Sequence, residues 1–201
     1  SFFCSNELFN RIHNVNLWTV RCLNLGGYIA DCPHRERVGY GDSHVSIETS
    51  IMNLWMPAFY QKWIRDWRDV QDPKTGMVPS SAPQRIGAGG PALGGALQAL
   101  TWRQYLYYGD IGVLEDNYDA CRRYLDAIEA HCKGGVLRFI DGVHGKKSFL
   151  GDHVAPLRGM DTEHWPPATP TAAEFFNNCY RVYLWDQLAR MAIILRRANE
   201  A

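Results

Sequence analysis

The sequence predicts an all-α chain of antiparallel helical hairpins packed around a centre, with its functional groups on loops at one end. Three observations predict it. Apolar residues recur at helical spacing, as in Leu114, Tyr118, Cys121, Leu125 and Ile128 and again in Leu184, Leu188, Met191 and Leu195. Glycine and proline punctuate the chain between these stretches. The connections are long and carry polar clusters, which argues against a plain four-helix bundle.

Each element follows from local signals. Residues 6–23 form a first helix capped at Ser5 or Asn6 and stopped before Gly26-Gly27. A second runs from about Ser43 to Trp55, with a break or kink at Pro57. A third, 58–70, carries Phe59, Tyr60, Trp63, Ile64 and Trp67 on one stripe, which reads as core, while Gln61, Lys62, Arg65, Asp66 and Arg68 face away. The Gly-, Pro- and Ser-rich "DPKTGMVPSSAPQRIGAGGP" that follows is long enough to be a functional wall or a disordered linker. A helix from about Pro91 ends at Gly109, and another, 112–132, stops at Gly134-Gly135. An irregular section with short strands leads to Pro170, and a last helix spans about 172–197.

Composition narrows the function classes. With 201 residues, 46% hydrophobic and 12% aromatic, the chain can bury a core. Lys+Arg and Asp+Glu are equal at 21 each, so no net field favours nucleic acid or an anionic surface. No apolar run approaches the roughly 20 residues of a membrane span, and "SFFCSNELF" lacks a signal-peptide layout. A soluble chain is expected, with cytoplasmic and secreted locations both open. Cys4, Cys22, Cys32, Cys121, Cys132 and Cys179 include no C-x-x-C pair, so buried free thiols are expected rather than a zinc site.

The densest chemistry lies in "DCPHRERVGYGD", where Asp31, Glu36 and Asp42 share a short segment with Arg35 and Arg37. Burial and neighbouring negative charge can keep a carboxyl protonated, making Glu36 a candidate proton donor with Asp31 and Asp42 as sugar-hydroxyl acceptors. The arginines oppose this if either faces Glu36. Spacing alone leaves the segment open between an acid site and an ion-paired helix junction.

"SNELFNRIHNVNLWTVRCLNLGGYIADCPHRERVGYGD" resembles the first helix and catalytic loop of bacterial-type α-L-rhamnosidases, glycoside hydrolase family 78. The resemblance continues through "AFYQKWIRDWRDVQDPKTGMVP", "GGPALGGALQALTWRQYLYYGD", "FLGDHV", "GMDTEHWPP" and "FFNNCYRVYLWDQLARMA", in the family's order and over essentially the whole chain. It implies part of an (α/α)6 six-hairpin barrel, residues 1–201 forming a partial catalytic domain that cleaves terminal α-linked rhamnose with inversion. In that chemistry one carboxylic acid protonates the departing oxygen while a second carboxylate activates water. The family's general acid falls on Glu36, its rhamnose-binding aspartates on Asp31 and Asp42, and Arg35 becomes a sugar contact. Asp152 matches a Gly-Asp-aromatic motif at the cavity mouth, and Trp165 either lines the site or anchors its loop.

The sequence departs from the family's pattern at Leu93 and His153, where many members have tryptophan. Lost stacking puts subsite preference in doubt; His153 either hydrogen-bonds the sugar or is an ordinary loop histidine. The family's water-activating glutamate is expected beyond Ala201, since Glu48, Glu163 and Glu174 do not match its motif. The chain alone is therefore expected to be inactive and prone to associate, with the rest of its barrel and a β-sandwich domain as partners. A rhamnose-containing glycoside or polysaccharide is the expected substrate, and no cofactor is implied. A non-catalytic carbohydrate-binding or scaffold module, or another six-hairpin glycosidase, are the alternative readings.

Overall fold

The computed structural model describes residues 2–30, 34, 37–87, 89–138, 149, 170–197 and 199. Among the described residues six α-helices carry the fold. Helix α1 (Glu7–Leu23) starts at Asn6, whose side chain accepts a hydrogen bond from the Leu8 amide at 3.0 Å. Two strand pairs then appear: β1 (Asn24–Leu25) with β2 (Tyr28–Ile29), which the sequence reads only as a helix stop, and β3 (Cys132–Lys133) with β4 (Val136–Leu137), which opens the section where short strands are expected. Each turns on Gly-Gly with both φ angles positive, +59° and +91° at Gly26-Gly27 and +61° and +76° at Gly134-Gly135. That is the geometry a two-residue antiparallel turn requires, and only glycine adopts it without strain.

The second helical stretch starts earlier and tighter than expected. A 3-10 helix occupies Gly41–Ser46 and passes into α2 (Ile47–Asn53). The interruption at Pro57 is a break rather than a kink: α2 ends at Asn53, and Pro57 is the first residue of α3 (Pro57–Asp69), where its missing N–H costs nothing. Helix α4 (Ala96–Tyr108) begins at Ala96 rather than Pro91, because Pro91–Gly95 turns before it. It ends on Gly109 in the left-handed region, and Asp110 caps α5 (Ile111–Glu129) by accepting from the Gly112 amide at 3.0 Å. The last helix, α6, spans Pro170–Ile194.

Helix α4 is the hub, packing on α3, α5 and α6. Its Leu97 and Leu100 join Trp63 and Trp67 of α3, Leu114 and Leu125 of α5, and Leu184 and Leu188 of α6 in one buried cluster. The aromatic stripe of α3 is core, as its spacing predicts. Buried side-chain amide N–H groups on α4 are matched to carbonyls. Gln98 donates to Leu184, and Gln104 to Pro57 at 3.1 Å. At the α5–α6 seam, Arg181 and the Trp185 indole both donate to Glu129, and the arginine's hydrogen bonds hold that carboxyl below its ordinary range.

The long Gly/Pro-rich segment is a built wall, not a loose linker. Asp72 Oδ1 accepts from the amides of Lys74 and Thr75, both at 2.9 Å, while Asp72 Oδ2 pairs with Arg85 at 3.1 Å. Val78 through Ala82 are buried, and the Trp63 indole donates to the Ala82 carbonyl at 3.0 Å. The cysteines correct one expectation. All five described thiols are free, but only Cys121 is buried, whereas Cys22 and Cys179 are exposed. Cys22 and Cys179 lie on the solvent faces of α1 and α6, where apolar spacing continues past what the core can absorb. Among the described residues no cluster has a metal-ligand set, and no helix is long and apolar enough to cross a membrane.

Candidate active site

The segment Arg37–Asp42 is threaded between two pieces of wall by close backbone contact. The Ala82 amide donates to the Gly39 carbonyl at 3.0 Å, and the Gly41 amide to the Ser80 carbonyl at 2.9 Å. A β-carbon at Gly39 would stand 2.3 Å from the Ala82 carbonyl oxygen, and one at Gly41 would stand 1.8 Å from that of Leu93. The two glycines of "VGYGD" are therefore steric necessities, which explains the backbone punctuation among so many charges. Upstream, the same β1–β2 hairpin ties both flanks of 31–36: the Ala30 amide donates to Leu23 at 2.7 Å and the Tyr28 hydroxyl to the Arg37 carbonyl at 2.8 Å.

The 3-10 turn then sorts its side chains. With three residues per turn, positions i and i+3 eclipse; Gly41, His44 and Ile47 are buried while Asp42 and Val45 face outward. His44 Nε2 lies 3.1 Å from the Ala92 carbonyl, so Nε2 carries the proton and donates. Burial first, and the nearby Arg103 second, lower the His44 pKa to about 4. The Tyr180 ring meets His44 edge-on, centroids 5.8 Å apart at 75°. Burial raises the Tyr180 phenol's pKa, with Tyr183 and Asp42 adding negative potential against Arg103. Arg103 Nε reaches Glu48 Oε1 at 3.5 Å. An outward carboxylate thus stands beside a buried histidine, an arginine and a tyrosine, at the meeting point of the 3-10 turn, α2, α4 and α6.

The Gly89–Gly95 stretch closes this corner. Phe149 is buried and sits where a β-carbon on Gly90 would be 3.0 Å away, with Asn177 Oδ1 of α6 at 2.9 Å. Phe149 opens the "FLGDHV" motif, so the start of that motif and Gly41, the residue before Asp42, border the same glycine-rich wall.

Of the sequence-derived site residues, Asp42 is placed. Asp31, Arg35, Glu36, Asp152, His153 and Trp165 lie outside the described residues. Leu93 is half-buried, its carbonyl against Gly41. Two of the three glutamates set aside as bases carry ion-pair partners, Glu48 with Arg103 and Glu174 with Arg138 at 3.3 Å; Glu163 lies outside the described residues. Sequence reasoning missed His44, Arg103 and Tyr180. The signal that could have found His44 is the i, i+3 run Gly41, His44, Ile47 directly behind the aspartate.

The family model described as bacterial alpha-L-rhamnosidase 6 hairpin glycosidase domain matches residues 1–201. The chain belongs to this family. A curated α-L-rhamnosidase of Formosa agariphila is 37% identical over 130 residues, 59% of this chain and 14% of that protein. The solved α-L-rhamnosidase of Dictyoglumus thermophilum superposes with a TM-score of 0.82 at 30% identity, covering 100% of this chain and 21% of the other. That of Aspergillus terreus gives 0.83 at 25% identity, covering 100% and 23%. The six-hairpin glycosidase fold is therefore shared over the whole chain, and the chain spans less than a quarter of each of these rhamnosidases.

Proposed function

We propose that the complete protein containing this chain is an inverting α-L-rhamnosidase acting on terminal α-L-rhamnosides, and that residues 1–201 supply the acid half of its site. The family match over all 201 residues carries this reading. Glu36 is the general acid, Asp31, Arg35 and Asp42 bind the rhamnose, and Asp152, His153 and Trp165 border the pocket. The exposed position of Asp42 on a pinned backbone supports the assignment, because a hydroxyl-binding aspartate needs a fixed backbone. An inverting acid stands roughly 6.5–9.5 Å from its water-activating partner. Glu48 and Glu174 are each ion-paired, and the partner carboxylate is assigned to another part of the protein.

Glu36→Gln in the complete protein tests the acid. The change keeps size and hydrogen bonding but removes the transferable proton, so kcat on substrates with poor leaving groups should fall at least 100-fold, roughly the worth of general acid catalysis. KM for an aryl α-L-rhamnoside should move little, and the 201-residue chain alone should release little rhamnose. Unchanged kcat in Glu36→Gln refutes the acid assignment. Efficient inverting hydrolysis by the chain alone refutes the division of the site.

A further inference from the structure

We propose that His44 is a positioning residue for substrate binding, holding the 3-10 turn against the Pro91–Leu93 wall so that Asp42 presents its carboxylate to the sugar. The inference rests on the reading of Asp42 as a rhamnose-hydroxyl ligand and assigns what sets that ligand's position.

The turn has two points of attachment to the wall. Gly41 is pressed onto the Leu93 carbonyl, and His44 donates to the Ala92 carbonyl at 3.1 Å. They lie on the buried edge of the helix, one on each side of Asp42 in sequence, while Asp42 itself projects from the opposite edge. Gly41 contributes contact without direction; the histidine supplies the directional bond. Its ring meets the edge of Tyr180 of α6 and lies in the field of Arg103 of α4, itself paired with Glu48 of α2. The Ala92 carbonyl can only accept, which places the N–H on Nε2, and Nδ1 has no hydrogen-bond partner among the described residues. The depressed pKa keeps that tautomer filled throughout the neutral range. Small displacements of a sugar ligand are costly because hydrogen bonds lose strength steeply with distance and angle.

Two polar replacements separate the bond from the packing. Glutamine reaches about as far as Nε2 and can still donate to Ala92; asparagine mimics only the Nδ1 edge and falls short. In the complete protein, with an aryl α-L-rhamnoside as substrate and L-rhamnose as inhibitor, His44→Asn should raise KM and the rhamnose inhibition constant roughly five- to tenfold, the worth of about one hydrogen bond. Glu36-dependent kcat should change by less than about threefold. His44→Gln should recover most of the loss. Asp42→Asn, run beside them, should weaken binding at least as much, and adding His44→Asn to it should cost little more. If Asp42→Asn weakens binding and His44→Asn does not, the positioning role is overturned while the Asp42 reading stands. If Asp42→Asn leaves KM and inhibition unchanged, the Asp42 reading fails and takes the proposal with it. Equal losses in His44→Gln and His44→Asn would mark the ring as packing alone and refute the proposal.

Discussion

A buried neutral histidine makes a pH prediction whose sign follows from its environment. His44 has a folded pKa of about 4, below the ordinary 6.5 that it regains on unfolding. Between those values the unfolded chain takes up a proton that the folded chain refuses, so the unfolded state binds more protons and stability rises with pH. The contribution is complete above about pH 6.5 and is lost as pH falls toward 4, amounting to no more than about 3 kcal/mol. Among the described residues the groups facing the ring are Arg103 from α4, Tyr180 from α6 and, through Arg103, Glu48 from α2, and what acid does to the rest of the protein is common to wild type and variant. The test is therefore a difference: the urea midpoint of the complete protein should fall more between pH 7 and pH 4.5 in the wild type than in His44→Gln. Parallel curves would show that His44 does not titrate in this window.

At the scale of elements, glycines in the same chain do different jobs, and one substitution distinguishes them. At Gly109 the φ angle is +70° and nothing lies within 4 Å of an added β-carbon, so alanine meets only backbone strain, about 1–2 kcal/mol. At Gly41 the β-carbon would overlap a carbonyl oxygen at 1.8 Å, and neither the 3-10 turn nor the wall can move without breaking the Gly41–Ser80 and His44–Ala92 bonds. Gly41→Ala should cost more than about 3 kcal/mol, or displace the turn and raise KM, while Gly109→Ala lowers the urea midpoint modestly and leaves KM alone. Equal, small effects at both positions would mean that the wall yields. The same contrast shows what was legible in advance. Helices α3, α5 and α6 could be read because one apolar stripe meets one core, as Trp63, Tyr118 and Leu188 show. The hairpin at Gly26-Gly27 is hidden, and that at Gly134-Gly135 is legible only as short strands without pairing or register, since two-residue strands have no period and Gly-Gly also stops helices. Asp42 is singled out by a motif and the burial of His44 follows the local i, i+3 run with Gly41 and Ile47, but its bonding partner is a carbonyl 48 positions away, which no local pattern encodes.

At the scale of the molecule, the apolar surface is distributed as in a part of a larger body. Helix α1 is amphipathic, yet its apolar side faces solvent: Leu8, Phe9, Ile12, Val15 and Trp18 are 48–68% exposed, and only Asn10 and Val20 of the helix are buried. Helix α6 repeats the pattern on the face away from the core, with Phe175, Val182 and Ile193 exposed, and Trp55 after α2 is 84% exposed. Covering a large apolar side chain is worth roughly 1.5–3 kcal/mol when complete, so the five half-exposed residues of α1 alone represent on the order of 5 kcal/mol. That is comparable to the net stability of a whole domain, about 5–15 kcal/mol, and a surface of this kind associates unless something else covers it. The chain matches only 14–23% of the length of the related rhamnosidases, which leaves ample chain of the same family to provide that cover. The 201-residue chain alone should therefore self-associate at micromolar concentration in sedimentation velocity, and replacing Ile12 and Trp18 by lysine and glutamate should shift it toward monomer. In the complete protein the same pair should instead lower the thermal midpoint, because two charges would then be forced into a packed interface. A stable, sharp monomer of the unaltered chain would show that the exposed stripe drives no association, and a double variant without effect in the complete protein would show that nothing packs on α1.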